Sequence, residues 1–400
     1  MSELKFGICG DLDRHNTLRE DNPLVTLKKS RVKDMIEELN RDPKSKEVLL
    51  DENEDISGEI EKLLRLDALK ESDGKVYVNF TLIDEKDNKI IFDVCEKYAS
   101  GLAKEFLDKK KHISDVLGSY RNSRIEKEKL AFMIIGCYLL DWGSLELLSD
   151  WGVCDHKKQQ AGDNEYVLWG ESEIEGLLKG VYWGGHSLFM DSYTFHTFGD
   201  HHEYAERKAF PDIIHRFADF EFDGGEEYRS ILFDKRKEML QDLGELIDDI
   251  GKNGADKEKI KNLWSDKSKY IQLLKKLNYV EEVDEILYLK IPYFTEEDID
   301  MMLDCMRPFI VVLKQWIDEN IDDIRSSLSE TRPLKNGEPF EEYFIQIWHV
   351  IFGLTNKKLA ESSLIYDTYC DDSDNEGYMP ALVKGDVLDR VEKRFIDRSF

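Results

Sequence analysis

Five of the nine histidines lie between residues 186 and 215, with acidic side chains interspersed among them. The densest part of this segment is FGDHHE at residues 198–203. Neutral imidazoles and carboxylates suit zinc, iron or nickel, and buried polar side chains need mutual partners. We therefore expect a pocket here that binds a small-molecule effector or a divalent metal. Its candidate residues are Trp183, His186, His196, Asp200, His201, His202, Glu203 and His215.

The spacing of these histidines matches no standard metal site. The HExxH motif is absent, because Glu206 stands where a second histidine should follow His202. The chain also has no Walker loop, GxGxxG or GxSxG motif, and no nucleophile is paired with a base. The pattern gives no positive evidence of catalysis. Ordinary hydrogen-bonded histidines in a polar pocket are the alternative to a metal site.

A second candidate site is cationic. Residues 252–276 hold eight lysines against three acidic residues, a local balance of +5 in a chain of net charge -28. Lysines bind DNA by neutralising its phosphates, whereas an acidic surface repels them. The alternative is a solvated lysine face on an ordinary helix. The candidate DNA-binding residues are Lys257, Lys259, Lys261, Lys267, Ser268, Lys269, Gln272 and Lys276.

The elements that would position the lysines contain an internal repeat. Residues 65–87 align with residues 276–298 without a gap, and six of the 23 positions are identical. About one or two identities are expected by chance, so the match indicates a duplication. In both segments a helix leads through a turn into an alternating strand. We expect residues 55–95 and 266–306 to form the same helix–strand unit.

Hydrophobic periodicity predicts the other elements. Helices are expected over residues 22–41, 55–66, 228–251, 257–264, 266–278, 132–148 and 343–364. Strands are expected near residues 76–82, 286–291, 166–169 and 193–196. Thr295 and Asp298 have the spacing of a capping box, which begins a helix.

The order helix, short helix, helix and two-stranded wing resembles a winged helix-turn-helix, in particular the small ArsR-like regulators of bacteria and archaea. The resemblance covers about residues 25–95 and 228–298, and rests on this patterning and on KKLNYVEEVDEILYLKIPYF at 275–294. In such folds the third helix enters the DNA major groove. The first copy departs from the pattern, because Glu59 and Glu61 make its third helix acidic. Both wings lack the basic residues that such regulators often carry.

Composition bounds the remaining expectations. The chain has 400 residues, no apolar leader after Met1 and no run of about 18 apolar residues. Six scattered cysteines without a CxxC pair are typical of reduced thiols. We therefore expect a cytoplasmic protein with no membrane span.

The sequence predicts an α+β, mostly helical fold with two winged-helix units, each followed by helices, and a β-containing middle segment. The expected segments are residues 1–95 and 221–298 for the winged-helix units, 96–149 and 299–400 for the helical extensions, and 150–220 for the middle.

Three functions stay open. The first is a transcriptional regulator that binds DNA through its second unit, with an effector pocket in the middle segment and a homodimeric state allowed. The second is a protein-interaction scaffold that kept the winged fold and lost DNA binding. The third is a metal-dependent hydrolase centred on His201 and His202.

Overall fold

The computed structural model describes residues 4–10, 22–155, 159–172, 185–199, 225–368 and 378–396. It is an α+β structure, mostly helical with several small sheets, as the sequence predicts. The chain divides into two compact units. Unit 1 comprises residues 1–95, 148–178 and 321–348, and unit 2 comprises residues 96–147, 179–320 and 349–400.

Unit 1 contains several short helices followed by a β-hairpin. Its helices are α1 (Pro23–Leu27), α2 (Ser30–Arg41), α3 (Lys46–Glu52), α4 (Ser57–Arg65), the first part of α5 (Glu85–Leu107), the end of α12 (Ile299–Leu328), α13 (Arg332–Lys335) and the first part of α14 (Phe340–Glu361). Its strands are β1 (Leu4–Gly10), β2 (Leu69–Ser72), β3 (Lys75–Val78), β4 (Thr81–Ile83), β5 (Gln159–Ala161) and β6 (Asn164–Ser172). Buried Val32, Ile36 and Leu39 give α2 an apolar stripe at helical spacing.

Unit 2 also contains short helices followed by a β-hairpin. Its further helices are α6 (Lys110–Leu117), α7 (Lys127–Ala131), most of α8 (Ser144–Asp150), α9 (Gly225–Ile250), α10 (Lys257–Leu263), α11 (Ser268–Lys276) and α15 (Val387–Ile396). Its strands are β7 (Gly185–Phe189), β8 (Tyr193–Gly199), β9 (Ala255–Asp256), β10 (Val280–Val283), β11 (Ile286–Leu289), β12 (Tyr293–Phe294) and β13 (Tyr378–Lys384). Thr295 and Asp298 form the predicted capping box before α12.

The helix predicted over 22–41 is two helices. Lys29 has an extended backbone (φ -72°, ψ 129°) that separates α1 from α2. Four of the five residues of α1 are buried. A straight continuation of the amphipathic α2, which buries one face only, could not bury α1 so completely.

The two predicted repeats have the same elements at an offset of 211 residues, so that Arg65 corresponds to Lys276. At this offset α3, α4, β2 and β3 coincide with α10, α11, β10 and β11 at both ends. The backbone agrees as well. Asp67 and Asn278 both have φ 58°, and Asp73 and Asp284 both have φ 51°. The bridge between Lys44 and Val76 recurs as the pairing of Ala255 with Leu287.

The correspondence extends to a second sheet in each half of the chain. In unit 1 the central β6 lies between antiparallel β1 and parallel β4. In unit 2 the central β13 lies between antiparallel β8 and parallel β12. The described strands of residues 150–220 therefore belong to two different sheets. They form no sheet of their own among the described residues.

One helical run is long and apolar enough to cross a membrane by length and composition. It spans Lys127–Asp150, and 83% of its most apolar window is buried inside the fold, as in a core helix. Residues Phe132–Gly143 within it are π-helical, where the sequence predicted an ordinary α-helix. Wide turns of this kind are rare and often accompany functional sites.

Candidate functional site

Helices α10 and α11 of unit 2, with the turn between them, carry the six lysines expected to bind DNA, and at least three of the six are paired with acidic residues. Lys257 pairs with both Glu282 and Glu285 on the hairpin. Lys261 pairs with Glu258, and Lys267 pairs with Asp242 at 2.5 Å. The local excess of positive charge in the sequence is thus largely neutralised within the fold.

Glu282 is the centre of this arrangement. Its carboxylate accepts hydrogen bonds from the ammonium groups of Lys257 in α10 and Lys275 in α11. Hydrogen bonds from Lys257 and then Lys275 lower the pKa of Glu282 to about 2. The same contact with Glu282, followed by that with Glu285, raises the pKa of Lys257. The hairpin acids that looked unfavourable for DNA therefore serve to hold the second and third helices to the wing.

The wing of unit 2 also has a neighbour. Arg124, between α6 and α7, stacks over the Tyr288 ring at 3.8 Å and pairs with Glu281 at 3.1 Å. The side chain of Asn122 donates to the Leu289 carbonyl at 3.4 Å. Phosphates approaching this wing would therefore have to displace Arg124 from it.

Four of the candidate residues face solvent. Lys259, Ser268, Gln272 and Lys276 are exposed, while Lys269 is half-buried. Lys259 has no acidic partner within the described part of the chain. Exposed Asp266 and Glu258 lie in the same stretch, so this face is polar and of mixed charge.

The corresponding face of unit 1 is acidic, as predicted. Glu54, Asp55 and Glu61 are exposed around α4. The cations nearby pair with this acidic edge, namely Lys29 with Glu59, Arg31 with Asp55 and Lys46 with Glu61. Exposed ion pairs of this kind contribute little stability, but they leave few cations for phosphate.

Only part of the predicted histidine pocket lies within the described residues. Trp183, Asp200, His201, His202, Glu203 and His215 lie outside them, and for His186 the structure gives the strand position alone. The structure does show His196, which is buried in β8. Burial lowers its pKa to about 3. The expected gathering of these residues thus stays a prediction.

His196 lies among aromatic rings. Trp142 and Tyr138 of the π-helical segment approach it edge-on, with centroids at 5.0 and 5.5 Å. Its Nδ1 lies 2.8 Å from the Ser187 hydroxyl, while its buried Nε2 has no hydrogen-bond partner among the residues that the structure describes. Within the described ranges no group of three or more potential metal ligands is present. His196 is therefore a neutral imidazole in an apolar site.

Sequence reasoning missed Asp141, which lies between Tyr138 and Trp142 on the same π-helical segment. It is buried, and burial raises its pKa to about 7. A lone Asp within the apolar run 130–143 was the signal in the sequence. Perturbed titratable groups beside an irregular helix mark this region as a candidate for function.

Sequence reasoning also missed a polar cluster centred on Asp248 of α9. The hydroxyls of Tyr193 and Tyr293 donate to its carboxylate at 3.1 and 2.5 Å, and Lys384 binds it at 2.5 Å. Burial opposes ionisation of Asp248, but the hydrogen bonds from Lys384 and Tyr293 outweigh it and lower its pKa. The contributing strands β8, β12 and β13 lie far apart in sequence.

No protein-family model, curated protein or solved structure matches this chain.

Proposed function

We propose that this protein is an interaction scaffold built on two winged helix-turn-helix units that arose by duplication. The topology supports the winged-helix assignment. In each unit a helix leads through a short bridging strand into a second and a third helix, and a two-stranded wing follows. The bridging residue pairs with the second wing strand in both units.

The shared offset supports the duplication. Boundaries, left-handed turn positions and the bridge coincide at 211 residues, although few side chains are identical. Two unrelated helix–hairpin segments have no physical reason to agree in all three respects. The matching strand orders β1-β6-β4 and β8-β13-β12 also support a duplication.

The observation that carries the scaffold function is the internal neutralisation of the second unit by Glu282. A DNA-binding third helix gains its affinity by placing cations on phosphates. Here Glu282 already binds Lys257 and Lys275. The first unit presents Glu54, Asp55 and Glu61 instead. Winged helices that do not bind DNA commonly bind other proteins through the same faces. The acidic face of unit 1 suits a basic partner.

A DNA-binding regulator remains the second candidate, because one face supports it. Ser268, Gln272 and Lys276 are exposed along α11 at helical spacing. These side chains are among the types that read base edges. In that case DNA affinity resides in the second unit alone and depends on Lys267, Lys269 and Lys276.

Site-specific photo-crosslinking distinguishes the two functions. Glu54 and Ser265 occupy corresponding positions at the start of the third helices, and both are exposed. A photo-reactive residue at either position should give adducts in a lysate of the source organism. Adducts removed by protease and resistant to nuclease support the scaffold. Nuclease-sensitive adducts at position 265 would contradict it.

A binding titration gives the second test. We expect no binding of duplex DNA by the parent protein at low salt. If DNA does bind, the combined Lys267→Ala, Lys269→Ala, Lys276→Ala variant should flatten the log–log salt dependence by up to about three units. That outcome would contradict the scaffold function and support the DNA-binding regulator.

A further inference from the structure

Unit 1 contains a cavity of about 340 Å³ beside its helix-turn-helix. Leu4 and Leu82 supply apolar walls, and Ser172 closes the end of β6. The cavity's charged residues are three acids and three bases: Glu37, Asp84, Glu85, Arg41, Lys86 and Arg332. Pockets for small ligands start at about 300 Å³, so the volume is that of a ligand site.

The second half of the chain shows what can occupy this place. At the offset of 211 residues, Glu37 corresponds to Asp248 and Leu82 corresponds to Tyr293. The strand registers extend the match. Leu4 pairs with Ser172 in unit 1, and Tyr193 pairs with Lys384 in unit 2. Leu4 therefore corresponds to Tyr193, and Ser172 corresponds to Lys384.

In unit 2 these positions are filled by side chains. The rings of Tyr193 and Tyr293 and the ammonium group of Lys384 converge on Asp248. Tyr193 packs where Gly244 leaves room, since a Cβ at Gly244 would lie 2.7 Å from the ring. In unit 1 both tyrosines are replaced by leucine and the lysine by serine. The cavity is therefore the space that two phenols and an ammonium group fill in unit 2.

The charges show which group is missing. In unit 2 two carboxylates have one lysine each, Asp248 with Lys384 and Asp298 with Lys252. In unit 1 the corresponding carboxylates are Glu37 and Asp87, and the only corresponding cation is Arg41, which pairs with Glu37 at 3.1 Å.

The Arg332 guanidinium favours the charged form of Asp87 but forms its ion pair with Asp84, at 3.1 Å. Asp87 itself is 3% exposed, and within the described part of the chain its Oδ2 has no hydrogen-bond partner. Its Oδ1 accepts from the backbone amide of Arg332, a residue that lines the cavity. Among the corresponding groups, unit 1 thus has one cation for two carboxylates where unit 2 has two, so a ligand cation in the place of Lys384 would restore the balance.

We propose that the cavity of unit 1 binds a small primary amine that carries an aromatic ring. The ammonium group takes the place of the Lys384 ammonium, within reach of Glu37. The ring lies against Leu4 and Leu82, in the space of the two tyrosine rings. A cavity of about 150 Å³ can hold a benzene ring, so the larger space here accommodates a ring with a short amine chain. This site goes beyond the scaffold function and does not depend on it.

Calorimetric titration with tyramine tests the proposal on the full chain. Tyramine should bind, and 3-(4-hydroxyphenyl)propionate, which has a carboxylate in place of the amine, should bind at least tenfold more weakly. Failure of tyramine to bind at millimolar concentration would overturn the proposal. Equal binding of the two probes would overturn the ammonium assignment on which it rests.

Two variants locate the site. Leu82→Tyr combined with Ser172→Lys gives unit 1 the residues that unit 2 carries at these positions, and should reduce tyramine affinity at least tenfold. Glu37→Gln keeps the shape of the side chain and removes its charge, and should also reduce tyramine affinity at least tenfold. Ser57→Lys adds a lysine outside the cavity and should leave the affinity unchanged. Undiminished binding by Glu37→Gln, in a protein with the parent's circular dichroism, would refute the assignment.

Discussion

The Asp141 carboxyl and the His196 imidazole should give unit 2 two opposing responses to pH. Both are buried, and burial moves the pKa of Asp141 up to about 7 and that of His196 down to about 3. The folded state therefore holds a proton on Asp141 that the unfolded state releases above pH 3.8. Stability from this group is lost as pH rises from 3.8 to 7. His196 acts in reverse, because the unfolded state takes up a proton below 6.5. Its contribution is lost as pH falls from 6.5 to 3.

The two contributions nearly cancel between pH 7 and pH 5. Each unit of pKa shift is about 1.4 kcal/mol, and linkage over this interval gives about 2 kcal/mol for each group, with opposite sign. Asp141→Asn removes one of them. The stability of this variant relative to the parent should therefore fall by about 2 kcal/mol when the pH is lowered from 7 to 5.

Urea unfolding followed by tryptophan fluorescence at several pH values measures the difference. The comparison must be between variant and parent, because the many other carboxylates of this chain titrate in both. His196→Gln is the matched variant, and its stability relative to the parent should rise by about 2 kcal/mol over the same interval. A stability difference that is the same at pH 5 and pH 7 for both variants would refute the assigned burial of these charges.

Three further outcomes follow from the packing. Asn79→Ala should destabilise unit 1 by about 1–3 kcal/mol in thermal unfolding, because its side chain donates to the carbonyl and carboxylate of Asp67 at 2.9 and 2.8 Å and holds that residue at positive φ. Leu102→Ala in α5 should cost about 2–5 kcal/mol, since Leu102 is fully buried in unit 2; an exposed position such as Ser100→Ala is the control. Cys95 should react with a thiol reagent only after unfolding, because burial raises its pKa and hides it; modification of Cys95 in the native protein, detected by mass spectrometry, would contradict this.

Local patterns in the sequence were enough to predict α4 and α11 and the strands that follow them. The change from helical to alternating spacing marks α4 with β3 and α11 with β11, since each signal lies within a few residues. The break between α1 and α2 was not predictable, because it depends on how completely α1 is buried. The π-helical segment has an ordinary apolar sequence, and nothing local distinguishes it from an α-helix.

The sites depend on contacts between distant residues, and that is where sequence reasoning failed. The lysines of α10 and α11 formed a basic run in the sequence, but Lys267 meets Asp242, which lies 25 residues away. The Asp248 cluster joins three strands that lie 45 to 136 residues from it. The offset of 211 residues, applied to Glu37, would have predicted that Glu37 corresponds to Asp248. The correspondence of Ser172 with Lys384 could not be predicted in this way, because it depends on the strand registers.

The hairpin turns of the two units share a backbone conformation but differ in residue type. Gly74 has φ 73°, a conformation that glycine adopts freely, and Glu285 has φ 63° at the corresponding position. A glutamate in the left-handed region is unfavourable by about 1 kcal/mol or more. The backbone has nevertheless kept its turn, and the Glu285 carboxylate lies 3.2 Å from the Lys257 ammonium group, with the Glu285 carbonyl accepting from the Lys257 amide at 2.9 Å. Glu285 thus adds to the neutralisation of α10 at the expense of local strain. This arrangement fits a hairpin that binds its own helices, as the proposed scaffold requires, and not a hairpin that binds phosphate.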